Sequence, residues 1–140
     1  MSSSKNTLTI KDYHNAGGDL QIEVGEGFIL QDRIKGSVRI TKLTVSRKPD
    51  KHSTRLGMFA YLHTKPGYEN LGFPEVILTR DTYSDSGKFL SRKMYVFSNV
   101  AIESVFMRGD MEEITFISSG FNEIEISKAG VSLYPFGNLA

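Results

Sequence analysis

From Lys93 to Tyr134 the chain is a series of short runs in which apolar residues return at every second position: Ile114 and Phe116, Ile124 and Ile126, Val131 and Leu133. That period sets one side of an extended chain against a core and the other towards solvent, so it selects strands over these runs. The same pattern predicts further strands at 7–11, 19–24, 28–31, 37–47, 56–63, 75–80 and 93–97, with the C-terminal ones at 114–118, 122–127 and 130–134. Turn residues separate them, among them Ala16-Gly17-Gly18, Lys65-Pro66-Gly67, Asp85-Ser86-Gly87 and Ser118-Ser119-Gly120. Strands of this length and spacing predict an all-β protein, an antiparallel β-sandwich of jelly-roll-like form. At most one short helix is expected, at 98–107, where Ala101, Ile102, Val105 and Phe106 would line one side; an irregular strand is the alternative. Between Ile40 and Leu43 the apolar parity changes, which predicts a β-bulge near Thr41 or Lys42.

At 140 residues the chain suits one domain, expected over 7–140 and preceded by a flexible Ser-rich arm at 1–6. It has no cysteine, which removes disulfides, thiolate metal sites and cysteine nucleophiles together. The first six residues lack an apolar run, so no export signal is visible, and no segment has the length of a membrane span. Cytoplasmic synthesis is expected.

Catalytic chemistry finds no foothold. His14, His52 and His63 stand in no metal-binding spacing, and no nucleophile elbow or phosphate-binding glycine loop is present. The expectation is a protein that is not an enzyme and carries no cofactor. Asp81 and Asp85 sit among hydroxyl groups in 81–87, a weak set of hard oxygen donors for calcium that reads first as an ordinary turn. Arg108-Gly109-Asp110 spells the integrin-binding tripeptide, whose use would need an exposed loop tip; a turn is the simpler reading.

Charge is balanced overall, at +1, but unevenly placed. Between 31 and 55 there are eight basic residues against Asp32 and Asp50, and Arg39, Lys42, Arg47 and Lys48 are expected to form a basic face. Between 103 and 125 acidic residues prevail, with Glu112, Glu113, Glu123 and Glu125 as an acidic face. Such patches meet either inside one fold, on neighbouring strands, or between copies. Ring residues offer a second surface: Tyr61, Tyr68, Phe73 and Tyr83 lie in or beside the long 63–74 connection and could stack on a sugar.

The segment 121–135 resembles the closing strands of galactose-binding-like jelly rolls, in which a hydrophobic strand turns into a last strand ending in an aromatic residue and proline, here Tyr134 and Pro135. That resemblance implies a carbohydrate-binding module with ligands met by loops or an aromatic platform. In architecture the chain also resembles small β-sandwich proteins of virus particles, such as capsid decoration and tail or baseplate subunits. These features lead to the expectation of a non-enzymatic structural or interaction subunit of a homo-oligomeric assembly, foremost a virion component, with Phe136 and Leu139 available to dock on a neighbour. Sugar binding is the first alternative. Nucleic-acid binding through 31–55 is the second, ranked last because no ring residue interleaves the basic ones. Protein partners, and no membrane, are expected.

Overall fold

A computed structural model describes residues 3–11, 19–25, 27–63, 72–127 and 130–135, the last six as backbone. The elements are β1 (Ser3–Lys11), β2 (Leu20–Val24), β3 (Phe28–Lys35), β4 (Val38–Arg47), α1 (Ser53–His63), β5 (Phe73–Tyr83), β6 (Phe89–Arg108), β7 (Met111–Ser118), β8 (Gly120–Ser127) and β9 (Gly130–Pro135). The protein is all-β and antiparallel with a single helix among the described residues, as expected, although the helix lies elsewhere. Tyr68 and the rest of 64–71, together with Phe136 and Leu139, fall outside the described residues.

The long strand β6 belongs to two sheets. Its first part pairs with β5 on one side and β8 on the other, giving the order β2-β1-β5-β6-β8-β9. Its second part, from Ala101, pairs with β7 and gives a four-stranded sheet in the order β6-β7-β4-β3. The crossing point is Asn99, whose φ of 52° is a left-handed value that asparagine tolerates better than most residues. Serines of the β7–β8 turn hold that corner: the hydroxyls of Ser118 and Ser119 donate to the Ser98 carbonyl at 2.6 and 3.1 Å.

Between the two sheets lies one apolar core. The six-stranded sheet contributes Leu8, Ile10, Ile22, Val76, Leu78 and Phe97, and the four-stranded sheet contributes Leu43, Val45, Ile102, Ile114 and Phe116. Burying each of these side chains contributes roughly 1.5–3 kcal/mol. Ring contacts stitch the layers together, as where Phe28 of β3 meets Tyr95 of β6 edge-on at 5.5 Å. Asn6 is buried and satisfied: its Nδ2 donates to the Gly25 carbonyl at 2.8 Å, and Arg80 Nε donates to its Oδ1 at 3.1 Å. Gly25 approaches β4 so closely that a Cβ there would meet the Ser46 carbonyl oxygen at 3.3 Å.

Three expectations are corrected and one open alternative is decided. Ser3 to Asn6 are strand, paired with Tyr83 to Arg80 of β5, and not a free arm. Residues 98–107 continue β6 with a register shift between Ile102 and Ser104, the irregular strand named as the alternative to a helix. Residues 56–63 are helix, because Leu56, Phe59, Ala60 and His63 follow helical spacing and face the core. The start of α1 is set by Asp50 and Ser53: the His52 N–H donates to Asp50 Oδ1 at 2.8 Å and the Asp50 N–H to Ser53 Oγ at 3.0 Å. Finally, β4 has no bulge near Thr41. Its pairing with β3 is continuous, and Thr41, Leu43, Val45 and Arg47 are buried in strict alternation. Val38 and Ile40 break parity because β7 supports β4 only from Thr41 onward, so the earlier residues belong to a hairpin that projects past the core.

Candidate interaction surface

That projecting hairpin follows from local chemistry. Lys35 pairs with Val38 across a two-residue turn, Gly36-Ser37, in which Gly36 has φ +64° and Ser37 is not left-handed, the arrangement of a type II′ turn. A two-residue turn makes Lys35 and Val38 a hydrogen-bonded pair, so the backbone groups of Ile34 and Asp32 point away from β4. Nothing among the described residues pairs with that side of β3. Ile34, 75 % exposed, and Ile29 and Val38 present apolar side chains there.

At the opposite margin of the same sheet, β6 beyond Ile102 pairs only with β7 among the described residues. Phe106 and Met107 are exposed beside it. The four-stranded sheet is thus open on both sides, with apolar groups at each opening. Open edges of this kind invite an added strand.

Where the hairpin leaves the core, polar groups close the mouth of the sandwich. Arg39 donates from Nε to Asp32 Oδ1 at 2.8 Å and from Nη2 to Oδ2 at 2.6 Å, Thr41 Oγ1 donates to Oδ1 at 2.9 Å, and the guanidinium lies 5.4 Å from the centre of the Phe121 ring. The hydrogen bond from Arg39 chiefly holds the Asp32 carboxyl below its ordinary value, against the opposing effect of burial, with Thr41 and the Arg39 charge adding to the lowering. Asp50 is lowered as well, first by its hydrogen bond from Arg47 and then by the His52 N–H. Both folded values lie below the ordinary 3.8, so their stabilisation is complete above pH 3.8 and is lost as the pH falls through the lowered values. Asp32→Asn is therefore expected to lower stability at neutral pH and to flatten the acid limb of the unfolding curve. Urea midpoints measured across the acid range give the comparison; an unchanged acid limb would contradict the assignment.

The basic and acidic faces meet inside the fold. Arg47 and Glu112 are register partners on β4 and β7, with side chains only 1 % and 3 % exposed, and Nη1 lies 3.3 Å from Oε1. Arg47 also pairs with Asp50. Lys42 reaches across β7 to Glu103 at 3.0 Å, Arg108 Nε donates to Glu113 at 3.1 Å, and Lys93 lies 3.1 Å from Glu123. Lys48 is exposed and lines an open groove with Glu23, Arg47, Asp50 and Met111, and Glu125 stands opposite Lys93 in the β6–β8 register. Arg47 and Glu112 are consequently buried and paired with each other, and do not belong to two opposed exposed faces. Glu123 and Glu125 do not face away from the core layer as the alternation suggested. They continue the face of Phe121 and Tyr95, while Ile124 and Ile126 take the outer side.

The candidate sugar platform is not assembled either. Phe73 is buried at the start of β5, packed on Phe59 at 4.9 Å, whereas Tyr83 ends the same strand about 33 Å away beside Phe89. Tyr61 is exposed on α1. Asp81 is gripped by Arg92 Nε at 2.7 Å, and Asp85 lies in the following turn. No group of three or more acidic or histidine side chains converges among the described residues. Arg108-Gly109-Asp110 does form an exposed hairpin tip, but the Arg108 guanidinium is turned back onto Glu113 and the Phe106 ring. The edge residues Ile34, Val38, Phe106 and Met107 were missed. For Ile34 and Val38 the signal was the parity break at 38–43, which marks the end of core coverage.

No protein-family model and no curated protein sequence matches the chain. Solved structures do. The chain is similar in fold to Hcp1 from Salmonella typhimurium, with 15 % identity and a TM-score of 0.62 over 96 % of this chain and 95 % of that one. It is likewise similar to the secreted protein Hcp3 from Pseudomonas aeruginosa, with 13 % identity and a TM-score of 0.65 over 96 % and 99 % of the two chains. A structure described as a type six secretion system protein matches at 15 % identity with a TM-score of 0.56, over 95 % and 96 %. These likenesses establish a shared all-β fold over 95 to 96 % of the chain. Two of these descriptions speak of secretion for the proteins they name, and neither sugar binding nor a place in a virion gains support from the comparisons. No helix among the described residues is long and apolar enough to cross a membrane.

Proposed function

We propose that this chain is a non-enzymatic structural subunit of a secretion apparatus, one that joins copies of itself into a closed ring. The observation that carries the reading is the four-stranded sheet open at both β3 and β6. Adding the β3 edge of one copy to the β6 edge of the next is a head-to-tail contact, which closes into a ring when the rotation allows it. The whole-length likeness to Hcp folds supports the same reading.

Because the charged groups are largely neutralised within each subunit, association through these edges is expected to depend only weakly on salt, unlike an assembly held by opposed charge patches. Ile34→Pro removes an outward N–H and leaves the β3–β4 ladder intact. Sedimentation should show the wild-type chain as a discrete oligomer and Ile34→Pro at the 15.7 kDa of one subunit, with matching circular dichroism. Electron microscopy should show closed rings. A wild-type protein that stays monomeric at high concentration, or one whose oligomer survives Ile34→Pro, overturns the edge-to-edge reading.

A further inference from the structure

Strand β2 is a margin of the six-stranded sheet, paired only with β1 among the described residues. Its free side is tied down once, just past its end, where the Gly25 N–H donates to the Ser46 carbonyl at 2.7 Å. Backbone groups alternate in direction along a strand, so the N–H and C=O of Glu23 and of Gln21 point to the same side as that Gly25 N–H. No described residue bonds to them there, and the Gln21 amide leans back onto Thr9 Oγ1 at 3.4 Å. From Gln21 to Gly25 this bare margin runs about 13 Å, the rise of about four strand residues.

Beside the Ser46 contact lies an open groove of about 480 Å³, walled by residues 23–25 on one side and by residues 47–50 with Met111 on the other. Two cationic side chains belong to it. Lys48 is exposed and has no ion partner among the described residues. The Arg47 side chain is only 1 % exposed; Glu112, Asp50 and Ser53 engage its terminal nitrogens, yet its Nε–H has no acceptor among the described residues. Of the carboxylates in the groove, Asp50 is answered by Arg47, and Glu23 follows the solvent side of β2 between the buried Ile22 and Val24. One wall thus offers a bare strand margin, and the other a free cation and an unfilled donor. An extended chain that ends in a carboxylate satisfies both.

We infer that β2 and this groove take the free C-terminus of an extended peptide from a partner protein. The peptide adds to β2 as a further strand, bonds to Gln21 and Glu23, and sets its carboxylate between Lys48 and Arg47. A small turn of the guanidinium brings Nε–H onto an oxygen seated at that wall, a charge-assisted bond. Alternate side chains of the added strand turn into the groove, where Val24, Pro49 and Met111 favour apolar groups, and outward beside Gln21 and Glu23, where polar groups fit. The β3 and β6 margins take no part, so the site stands whether or not copies of the chain associate.

The test is fluorescence anisotropy of the full chain with a labelled peptide of alternating threonine and valine, about six residues long, ending in valine with a free carboxylate. This peptide should bind, and the same peptide closed by a C-terminal amide should bind about tenfold more weakly, the worth of one charge-assisted hydrogen bond. Lys48→Ala should weaken the carboxylate form by about tenfold and leave the amide form unchanged, while Lys48→Arg keeps most of the affinity. Gln21→Pro removes an outward N–H and spares the pairing with β1, so it should weaken both forms with circular dichroism unchanged. No binding at millimolar peptide, equal binding of the two forms, or indifference to Lys48→Ala or Gln21→Pro would each overturn the assignment. Sedimentation of Lys48→Ala beside the native chain covers the other occupant: association lost by a chain that binds no peptide gives the groove to a second copy and overturns the inference.

Discussion

Glu112→Ala should lower the free energy of unfolding by about 3–5 kcal/mol, the cost of stranding a buried charge. Arg47 is almost wholly enclosed and its Nε already has no hydrogen-bond partner, so the guanidinium depends on Glu112, Asp50 and Ser53. Asp50 is nearly half exposed and offers a solvated, weaker hold. The paired replacement Arg47→Met with Glu112→Leu should recover most of the loss, because desolvation of both charges opposes what their attraction contributes. Urea unfolding at neutral pH measures all three. A loss below about 1 kcal/mol for the single substitution would mean that water reaches the pair and that the enclosure is not real.

Phe116→Ala carries the other large effect, about 3–5 kcal/mol, from lost transfer free energy and the cavity left behind. Phe116 sits in β7 between Leu43 of β4 and Ile102 of β6, and all three side chains are buried. Its neighbour Ile117 points to the opposite, outer face, and Ile117→Ala should cost well under half as much. Equal losses at the two positions would contradict the assignment of faces.

Much of the layer structure was legible. Leu8 with Ile10, Leu20 with Ile22, Val76 with Leu78, and Ile114 with Phe116 alternate in the sequence and are buried in the fold. What alternation does not report is which of two faces is covered. In β8 the isoleucines take the outer side and the glutamates the core side, since coverage depends on where the other sheet stops. Residues 56–63 satisfy period two through Met58, Ala60 and Leu62 and the helical period through Leu56, Phe59 and His63, and only the Asp50–Ser53 start favours the helix. The opposed charges were legible as complementary. Their partnership was not, because Arg47 and Glu112 meet only after β4 finds β7, 65 residues further on. His63 gave no local sign that it accepts the backbone N–H of Ile102, on a strand 39 residues away.

The sharing of β6 between the two sheets also fixes an order of events during synthesis. The six-stranded sheet lacks its middle and the four-stranded sheet one margin until residues 89–108 have emerged, and β4 must wait for β7, as the paired hydroxyls of Thr44 and Thr115, 71 residues apart, record. At roughly 5–20 residues per second the β3–β4 hairpin spends about 4–14 seconds outside the ribosome with Leu43 and Val45 uncovered and both its margins bare. The strand shared by the two sheets in the finished fold therefore leaves the nascent hairpin with its apolar residues uncovered while the intervening chain is made.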